Sequence, residues 1–341
     1  MLKSFKNAAL YISAIIGAGF ATGSEIALFF GEQSIVIILL AGIMLGSFAG
    51  AFLRIGNIIY AEKPQGEAFD FFDIFPGKSA AFLRAVFLIA SFVTLAAMTA
   101  GAERIFETVF KIKYAGVISL IPAVLCGLLN IDKIKSLFSA LVAVTVALIF
   151  YLYVNSVGAA AFDGGGHNIL KAVAYVSMNV FLGGYLIVKK EKSDKKEIIL
   201  TAVFSALILT ALLVMIYGIN GGSTHEMPVI EAAAAAGRER IAAGIVLLSI
   251  FSTMISTAKT LFNRLLKKQG KFLAALSLVA SAFFVSLAGF KNIVDYAYPV
   301  ISLFSSVFTA LTIIFLVKHG KAKKQSFFAQ KKIVKSSQIV D

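Results

Sequence analysis

The sequence is poor in charge for its length, and this scarcity limits the class of protein. Only 15% of its 341 residues are charged, whereas a soluble domain carries about 25%. Hydrophobic residues make up 59% of the chain, and the mean hydropathy is +0.89. These values exclude an ordinary soluble domain and indicate a polytopic membrane protein.

The sequence also lacks the residues that several kinds of site require. Its one cysteine, Cys126, lies in an apolar run, so neither a disulfide framework nor thiol redox chemistry is indicated. His167, His225 and His319 are scattered, without a second ligand type at metal spacing. No His-Glu-x-x-His, paired-aspartate or Ser-Lys motif and no ATP-binding loop occurs. We therefore expect neither an enzyme nor a primary pump, and no cofactor except, at most, sodium as a coupling ion.

Ten apolar stretches are long enough to cross a bilayer, which takes about 20 mostly apolar residues per helix. They are residues 7–30, 34–60, 79–106, 114–130, 134–158, 167–189, 196–219, 238–266, 272–289 and 292–317. The first follows Lys3 and Lys6 but has no clean cleavage site, so we expect a retained helix rather than a signal peptide. The sequence predicts an all-α integral membrane protein.

The positive charges lie mostly on one side of these spans. With the N-terminus inside, all but seven of the 32 lysines and arginines are cytoplasmic, as the positive-inside rule requires. The seven are Arg104, Lys111, Lys113, Lys171, Arg238, Arg240 and Lys291. This explains the net charge of +14 by topology rather than by nucleic-acid binding. We expect a multi-pass plasma-membrane protein with both termini cytoplasmic and a basic tail, 318–341, that is disordered or lies on the anionic inner leaflet.

The first span contains a glycine-rich stretch that a simple membrane helix would not have. Gly17, Gly19 and Gly23 precede Ser24 and Glu25. Each glycine in a helix interior costs roughly 1 kcal/mol relative to alanine. An opened turn in lipid is tolerated only where its backbone faces protein, water or a ligand. The stretch is either a packing face of small residues or, as we predict, a discontinuous helix that lines a binding site.

Ten spans divide into two sets of five. An odd number per set means that the second set is inserted upside down, as in many secondary transporters. We predict inverted repeats at 1–158 and 159–317. The sixth span, 167–189, should then be broken like the first, and it carries Ser177 and Asn179 in mid-span before Gly183 and Gly184. Interruptions at matching places predict a binding site near the membrane midplane.

The motif Gly17-Ala-Gly-Phe-Ala-Thr-Gly-Ser-Glu25, followed by Phe29-Phe30-Gly31, resembles the opening helix of the YkvI-like permeases. These belong to the amino acid–polyamine–organocation superfamily, which has the LeuT-type five-plus-five fold. The resemblance covers essentially all ten helices and implies transport of amino acids or related small amines, driven by sodium or protons. The substrate-binding residues implied are Gly17, Ala18, Gly19, Phe20, Gly23, Glu25, Ser177, Asn179 and Phe181.

The resemblance also implies a coupling-ion site on helix 8. Thr253, Ser256 and Thr257 share one helix face, and in sodium-coupled relatives such residues join backbone carbonyls, here of Ser13 and Ile16. Oxygen ligands suit a hard cation. Alternatively, the hydroxyls bond to their own helix. Lys259 either extends to the interface or acts in gating or coupling, as Glu25 also can.

Two functions therefore remain open, a secondary transporter and a ligand sensor that keeps the same fold without moving cargo. Three further features have simpler interpretations. Glu103, Arg104 and Asp295 are gate charges or interface anchors; Gly42, Gly46 and Gly50 form a packing stripe; and residues 232–236 form a short external helix.

Overall fold

Helices build the whole of the described structure. The computed structural model describes residues 1–62, 71–156, 165–188, 192–220, 225–265 and 270–337. In chain order the helices are α1 (Leu2–Ile15), α2 (Ala18–Ala21), α3 (Ser24–Phe30), α4 (Ile35–Glu62), α5 (Gly77–Ile105), α6 (Ala115–Gly127), α7 (Ile131–Ser156), α8 (Ile169–Ile187), α9 (Lys195–Asn220), α10 (Pro228–Ala235), α11 (Glu239–Leu265), α12 (Lys271–Ser286), α13 (Phe290–Asn292) and α14 (Tyr298–Ser337). A 3₁₀ turn lies at Phe71–Ile74, and π-helical turns lie at Phe106–Phe110 and Ile293–Ala297. These ranges contain no strand, in agreement with the all-α prediction.

Seven helices in these ranges are long and apolar enough to cross a membrane. They are α4, α5, α7, α8, α9, α11 and the helix that runs from Phe290 into α14. Their bounds follow the predicted spans; α4, for example, covers Ile35–Glu62 against a predicted 34–60. The other three predicted spans correspond to α1–α3, α6 and α12, whose continuous helices are shorter than the roughly 20 residues of a simple crossing. The chain is thus a multi-pass membrane protein, and the count of ten crossings stays a prediction.

The first span is discontinuous, as the glycines predicted. α1 ends at Ile15, and Gly17 has an extended backbone before the single turn of α2. A second interruption follows at Gly23, whose φ of 82° lies in the left-handed region that favours glycine. α3 then begins at Ser24, so two breaks divide the predicted helix into three pieces.

The sixth predicted span, 167–189, is not broken, and the prediction of a break there is wrong. α8 runs as one α-helix from Ile169 to Ile187. Gly184 instead makes room for a neighbour, because a Cβ there would overlap the ring of Phe52. Asn179 donates to the Tyr175 carbonyl one turn earlier, at 3.0 Å, so its polar group is accommodated by the intact helix. Gly184 therefore serves packing, and Asn179 forms a hydrogen bond within a continuous helix.

The helices pack in matched pairs. Helices at equivalent positions of the two predicted halves contact each other: α1 with α8, α4 with α9, and α5 with α11. The contacts between other positions also correspond. α4 packs on α8 as α9 packs on α1, α7 on α1 as α14 on α8, and α6 on α11 as α12 on α5. Exchanging the two sets of helices leaves these contacts unchanged, whereas the packing of α7 on α9 has no comparable counterpart between α14 and α4.

The predicted glycine stripe of α4 is confirmed as a packing face. It lies against α9, where a Cβ at Gly42 would overlap Thr210 and a Cβ at Gly46 would overlap Ala206. A Cβ at Gly50 would come within 3.0 Å of Ala202. The two helix backbones approach closely because the side chains between them are small.

The basic tail continues as a helix rather than leaving the last span as disordered chain. α14 extends to Ser337. After Gly320, neither proline nor glycine interrupts the sequence up to that residue, which explains why the helix has no stop signal. The last four residues, 338–341, lie outside the described residues.

Candidate functional site: a closed cavity at the break in the first span

A small cavity lies where α1 gives way to α2. Its volume is about 20 Å³, enough for about one water molecule. It is lined by Ala14, Ile15, Gly17, Glu25, Thr94, Met98, Met178, Asn179, Leu182, Thr253, Tyr298 and Ile301. The end of α1, the break, α3, α5, α8, α11 and α14 thus all contribute to one site.

Glu25 is the charged residue of this cavity. It lies in the first turn of α3, directly after the left-handed Gly23, and its side chain is buried with 4% of the residue exposed. Its Oε2 atom is buried without a hydrogen-bond partner. The carboxylate folds back over α2, where a Cβ at Gly19 would overlap it. Gly19 is therefore required for the close approach of the Glu25 side chain.

The broken backbone is held by side chains from elsewhere in the chain. The Ala18 N–H donates to the Met98 sulfur of α5 at 3.0 Å. The Thr22 hydroxyl donates to the Ala18 carbonyl at 2.7 Å, and the Thr22 carbonyl accepts from the N–H of Val229 in α10 at 2.9 Å. The predicted external helix is thus observed as α10, and it covers the second break.

The predicted ion ligands are partly brought together. The Thr253 hydroxyl lies 2.9 Å from both the Ser13 and the Ile16 carbonyl oxygens, so α11 bridges the end of α1. The Ser256 hydroxyl instead donates to the Thr253 carbonyl of its own helix at 3.0 Å. Thr257 is half-buried and does not line the cavity.

Lys259 is placed away from this bridge. Its ammonium group donates to the Leu129 carbonyl, just beyond the C-terminus of α6, at 2.6 Å. A cation at a helix C-terminus is favoured by the unpaired carbonyls there. In this conformation the ammonium therefore caps α6 and does not occupy the cation position; a part in coupling stays a prediction.

The predicted residues of α8 have three different surroundings. Asn179 lines the cavity, whereas the buried Ser177 hydroxyl has no partner and does not line it. Phe181 packs among aromatic rings, 5.3 Å from Phe87 and 4.8 Å from Phe308 between centroids. Phe20 is also buried outside the cavity lining. Neither phenylalanine contacts the cavity in this conformation, because both are used in packing.

Sequence reasoning missed the contributions of α5 and α14. Thr94 and Met98 line the cavity from one face of α5, and Tyr298 lines it from the first residue of α14. A Cβ at Gly17 would come within 3.0 Å of the Met98 methyl group. The available signal was the spacing of four between Thr94 and Met98, which places both on one helix face.

An open pocket lies along the other face of α3, at the predicted outer end. Its volume is about 460 Å³, and it is lined by Ser24, Ala27, Leu28, Gly31, Glu32, Lys171, His225, Glu226, Phe290, Lys291, Val294 and Asp295. We call it the vestibule. Of the predicted gate charges, Asp295 lines it and Arg104 pairs with Glu226 at 3.1 Å. Glu103 instead accepts from the N–H groups of Tyr114 and Gly116 and caps α6.

The predicted cytoplasmic end is closed by a buried polar cluster. Glu197 of α9 is 6% exposed; its Oε1 accepts from the Asn7 amide at 2.7 Å, and its Oε2 lies 3.1 Å from the Lys3 ammonium group. Beside it, Asn57 of α4 exchanges two hydrogen bonds of 2.7 Å with the backbone of Ser193. These contacts attach the start of α1 and the end of α4 to the start of α9.

Aromatic rings fill the same end. The 3₁₀ turn after α4 inserts Phe71 and Phe72 between the helices, and Phe308 of α14 lies 5.6 Å and 6.2 Å from their ring centroids. The rings of Phe52, Phe75, Phe87 and Phe181 complete this cluster. We call it the ring cluster.

Comparison with known proteins places the chain by its fold. No family model and no curated protein matches it. Among solved structures it is similar to the Eremococcus coleocola manganese transporter in complex with an aromatic bis-isothiourea substituted compound, with a TM-score of 0.54 and 16% identity over 92% of this chain and 78% of that one. Two structures of single-residue variants of that transporter match with a TM-score of 0.53 at the same identity and coverage. The chain has the fold of a membrane transporter.

The described part of the chain offers few metal ligands. Within the described ranges, no group of three or more histidine, cysteine, aspartate or glutamate side chains is placed to hold a metal ion. In the cavity the only such residue is Glu25.

Proposed function

We propose that this protein is a secondary transporter that moves amino acids or related small amines across the plasma membrane by alternating access. The observation that carries the proposal is the cavity at the break in the first span, with the buried, unpartnered Glu25 carboxylate in its wall. A polar group without a partner is costly in a membrane interior, and ionisable residues there usually mark a transport pathway. The transporter fold supports the same conclusion.

The packing supports alternating access. Matched contacts between two sets of helices are what an inverted repeat would produce, and such repeats exchange conformations around a central site. The vestibule is open at one end of α3, whereas Glu197 and the ring cluster fill the other end. We infer a conformation that is closed around the cavity and has its inner gate shut.

We propose sodium as the coupling ion, bound near Thr253. The hydroxyl of Thr253 already lies 2.9 Å from the Ser13 and Ile16 carbonyls, so three oxygens converge on one point. Oxygen ligands suit a hard cation, and we expect the hydroxyls of Ser256 and Thr257 to take part when the ion binds. Proton coupling through Glu25 is the alternative, because that carboxylate is the titratable group at the break.

Manganese is the cargo named for the similar transporter, and it provides the contrasting hypothesis. Manganese is bound by carboxylates, carbonyls and water. The cavity offers one carboxylate, that of Glu25, besides neutral hydroxyl, amide and thioether groups. This set suits an organic amine better than a divalent ion, which would bring two positive charges to a single carboxylate.

Uptake into liposomes tests the proposal. Purified protein would be reconstituted and supplied with labelled amino acids, amines or Mn²⁺, with a sodium gradient, a pH gradient or neither. We expect uptake of an organic cargo that depends on sodium and is weakened by Thr253→Val, with Thr260→Val as the matched control because Thr260 bonds only to Ser256 of its own helix. Uptake that ignores sodium and follows the pH gradient would replace sodium by protons. Binding without any uptake would support a sensor.

A further inference from the structure

The hydrogen-bonding groups that line the cavity are unequally used. Thr94 donates its hydroxyl hydrogen to the Ala90 carbonyl at 2.8 Å. Thr253 donates to the carbonyls of α1, and Asn179 uses one amide hydrogen on the Tyr175 carbonyl. The Ala18 N–H, at the start of α2, is taken by the Met98 sulfur. Most donors near the cavity are therefore already engaged by protein acceptors.

One hydrogen-bond acceptor of the cavity wall, by contrast, has no donor. Glu25 Oε2 is buried without a partner and belongs to a side chain in the cavity wall. No lysine, arginine or histidine is among the described residues that line the cavity. Tyr175 and Tyr298 lie within electrostatic range of the carboxylate, and their hydroxyls can donate or accept. The described lining thus has no cationic donor, and it holds a carboxyl oxygen without a partner.

We infer that the transported molecule is an amine with one positive charge and no carboxylate, and that Glu25 is the specificity-determining residue that contacts its ammonium group. This inference rests on the proposed function and narrows its substrate class. An ammonium group supplies the hydrogen-bond donors and the charge that Glu25 lacks. A zwitterionic amino acid would bring a carboxylate into a small space that already holds one, without a cation to pair it.

Such a ligand is larger than the cavity of about 20 Å³, so the walls must move apart to admit it. Met98 and Met178 line the cavity, and methionine side chains are flexible enough to change shape at little cost. Thr94, Leu182 and Ile301 add apolar surface suited to a short hydrocarbon chain. The ammonium end would face Glu25 and Tyr298, and the carbon chain would face the methionines.

Pairs of compounds that differ by one carboxylate test the inference. Binding of isobutylamine and valine, and of 2-phenylethylamine and phenylalanine, would be measured by calorimetry on the full chain in lipid nanodiscs, with isovalerate and Mn²⁺ as further probes. Because the amino acid brings a second carboxylate close to Glu25 without a cation to pair it, each amine should bind roughly tenfold or more tightly than its amino acid. Glu25→Gln should remove that preference. Glu32→Gln, an exposed carboxylate of the vestibule, is the matched control and should keep it.

The outcomes separate this inference from the proposed function. Tighter binding of the amino acids than of their amines would overturn the inference and leave an organic-solute transporter in place. Binding of Mn²⁺ alone, or of no probe, would overturn both. If Glu25→Gln does not fold, Glu25→Asp decides: the charge persists, so the preference for amines must persist at lower affinity, and its loss would contradict the assignment.

Discussion

The two ends of the bundle hold their charged groups in different surroundings. At the vestibule the charged groups are at the surface, where Arg104 pairs with Glu226 while its side chain is 48% exposed. At the opposite end Glu197 is 6% exposed and is held by Asn7 and Lys3, beside the ring cluster. Exposed ion pairs contribute little to stability, and the Lys3 side chain is itself 59% exposed, so ion pairing alone does not distinguish the two ends. What distinguishes them is the buried hydrogen bond between Glu197 and Asn7 and the ring cluster beside it. We therefore expect the end with the ring cluster to contribute more to stability than the end with the vestibule.

Removing a ring from the inner end should have the largest effect. Phe308 is 1% exposed and touches the rings of Phe71 and Phe181. Phe308→Ala should lower the free energy of unfolding by about 3 kcal/mol or more, because it leaves a cavity among close-packed rings. Thermal or denaturant unfolding in detergent measures this. Phe304→Ala is the matched control on the same helix, since Phe304 is 37% exposed, and equal losses for the two variants would contradict a packed inner gate.

Weakening the polar cluster should have an intermediate effect on stability and a clear effect on conformation. Glu197→Gln removes the charge that holds Lys3, and we expect a loss of about 1–3 kcal/mol. The start of α1 should then separate from α9 more often. With Cys126→Ser as background, labelling of Ala14→Cys from the cytoplasmic side of inverted vesicles should increase several-fold.

The exposed Glu239→Gln, at the start of α11, is the control for this variant. If Glu197→Gln leaves labelling at the level of this control, the polar cluster is not part of the gate.

The outer ion pair should matter least. Arg104→Gln should change the free energy of unfolding by no more than about 1 kcal/mol, because both side chains reach water. The same unfolding measurement applies. A loss as large as that of Glu197→Gln would show that the outer end also holds the conformation, and the contrast between the two ends would disappear.

The sequence predicted the features that depend on local chain properties. Span boundaries follow from long apolar runs, and the interruption of the first span follows from Gly17 and Gly23, which the structure shows in extended and left-handed conformations. The stripe at Gly42 and Gly46 was predictable because small residues four apart share a face. These signals lie within single helices.

Features that depend on distant partners were not predictable. Gly184 has the local signal of a helix break, but in the structure it makes room for the ring of Phe52 from another helix. Met98 reaches the Ala18 N–H across 80 positions of the chain, and Asn7 reaches Glu197 across 190. A glycine or a polar residue in mid-span destabilises its own helix whether it marks a helix break or a contact between helices. Only the residue that packs against it distinguishes the two roles. The cavity residues from α5 and α14 were missed for this reason.

The hydrogen bonding of Thr253 affects how the proposed transport cycle would run when no sodium ion is bound. Its hydroxyl holds the Ser13 and Ile16 carbonyls at 2.9 Å, the two groups that the proposed sodium ion would otherwise hold. Without a bound ion, the hydroxyl of Thr253 thus holds the C-terminal end of α1 against α11, at the position where the proposed sodium ion would bind. An arriving ion would displace that hydrogen bond instead of organising loose ligands, so its affinity would be moderated. After its release the two carbonyls would again share the one hydroxyl hydrogen of Thr253.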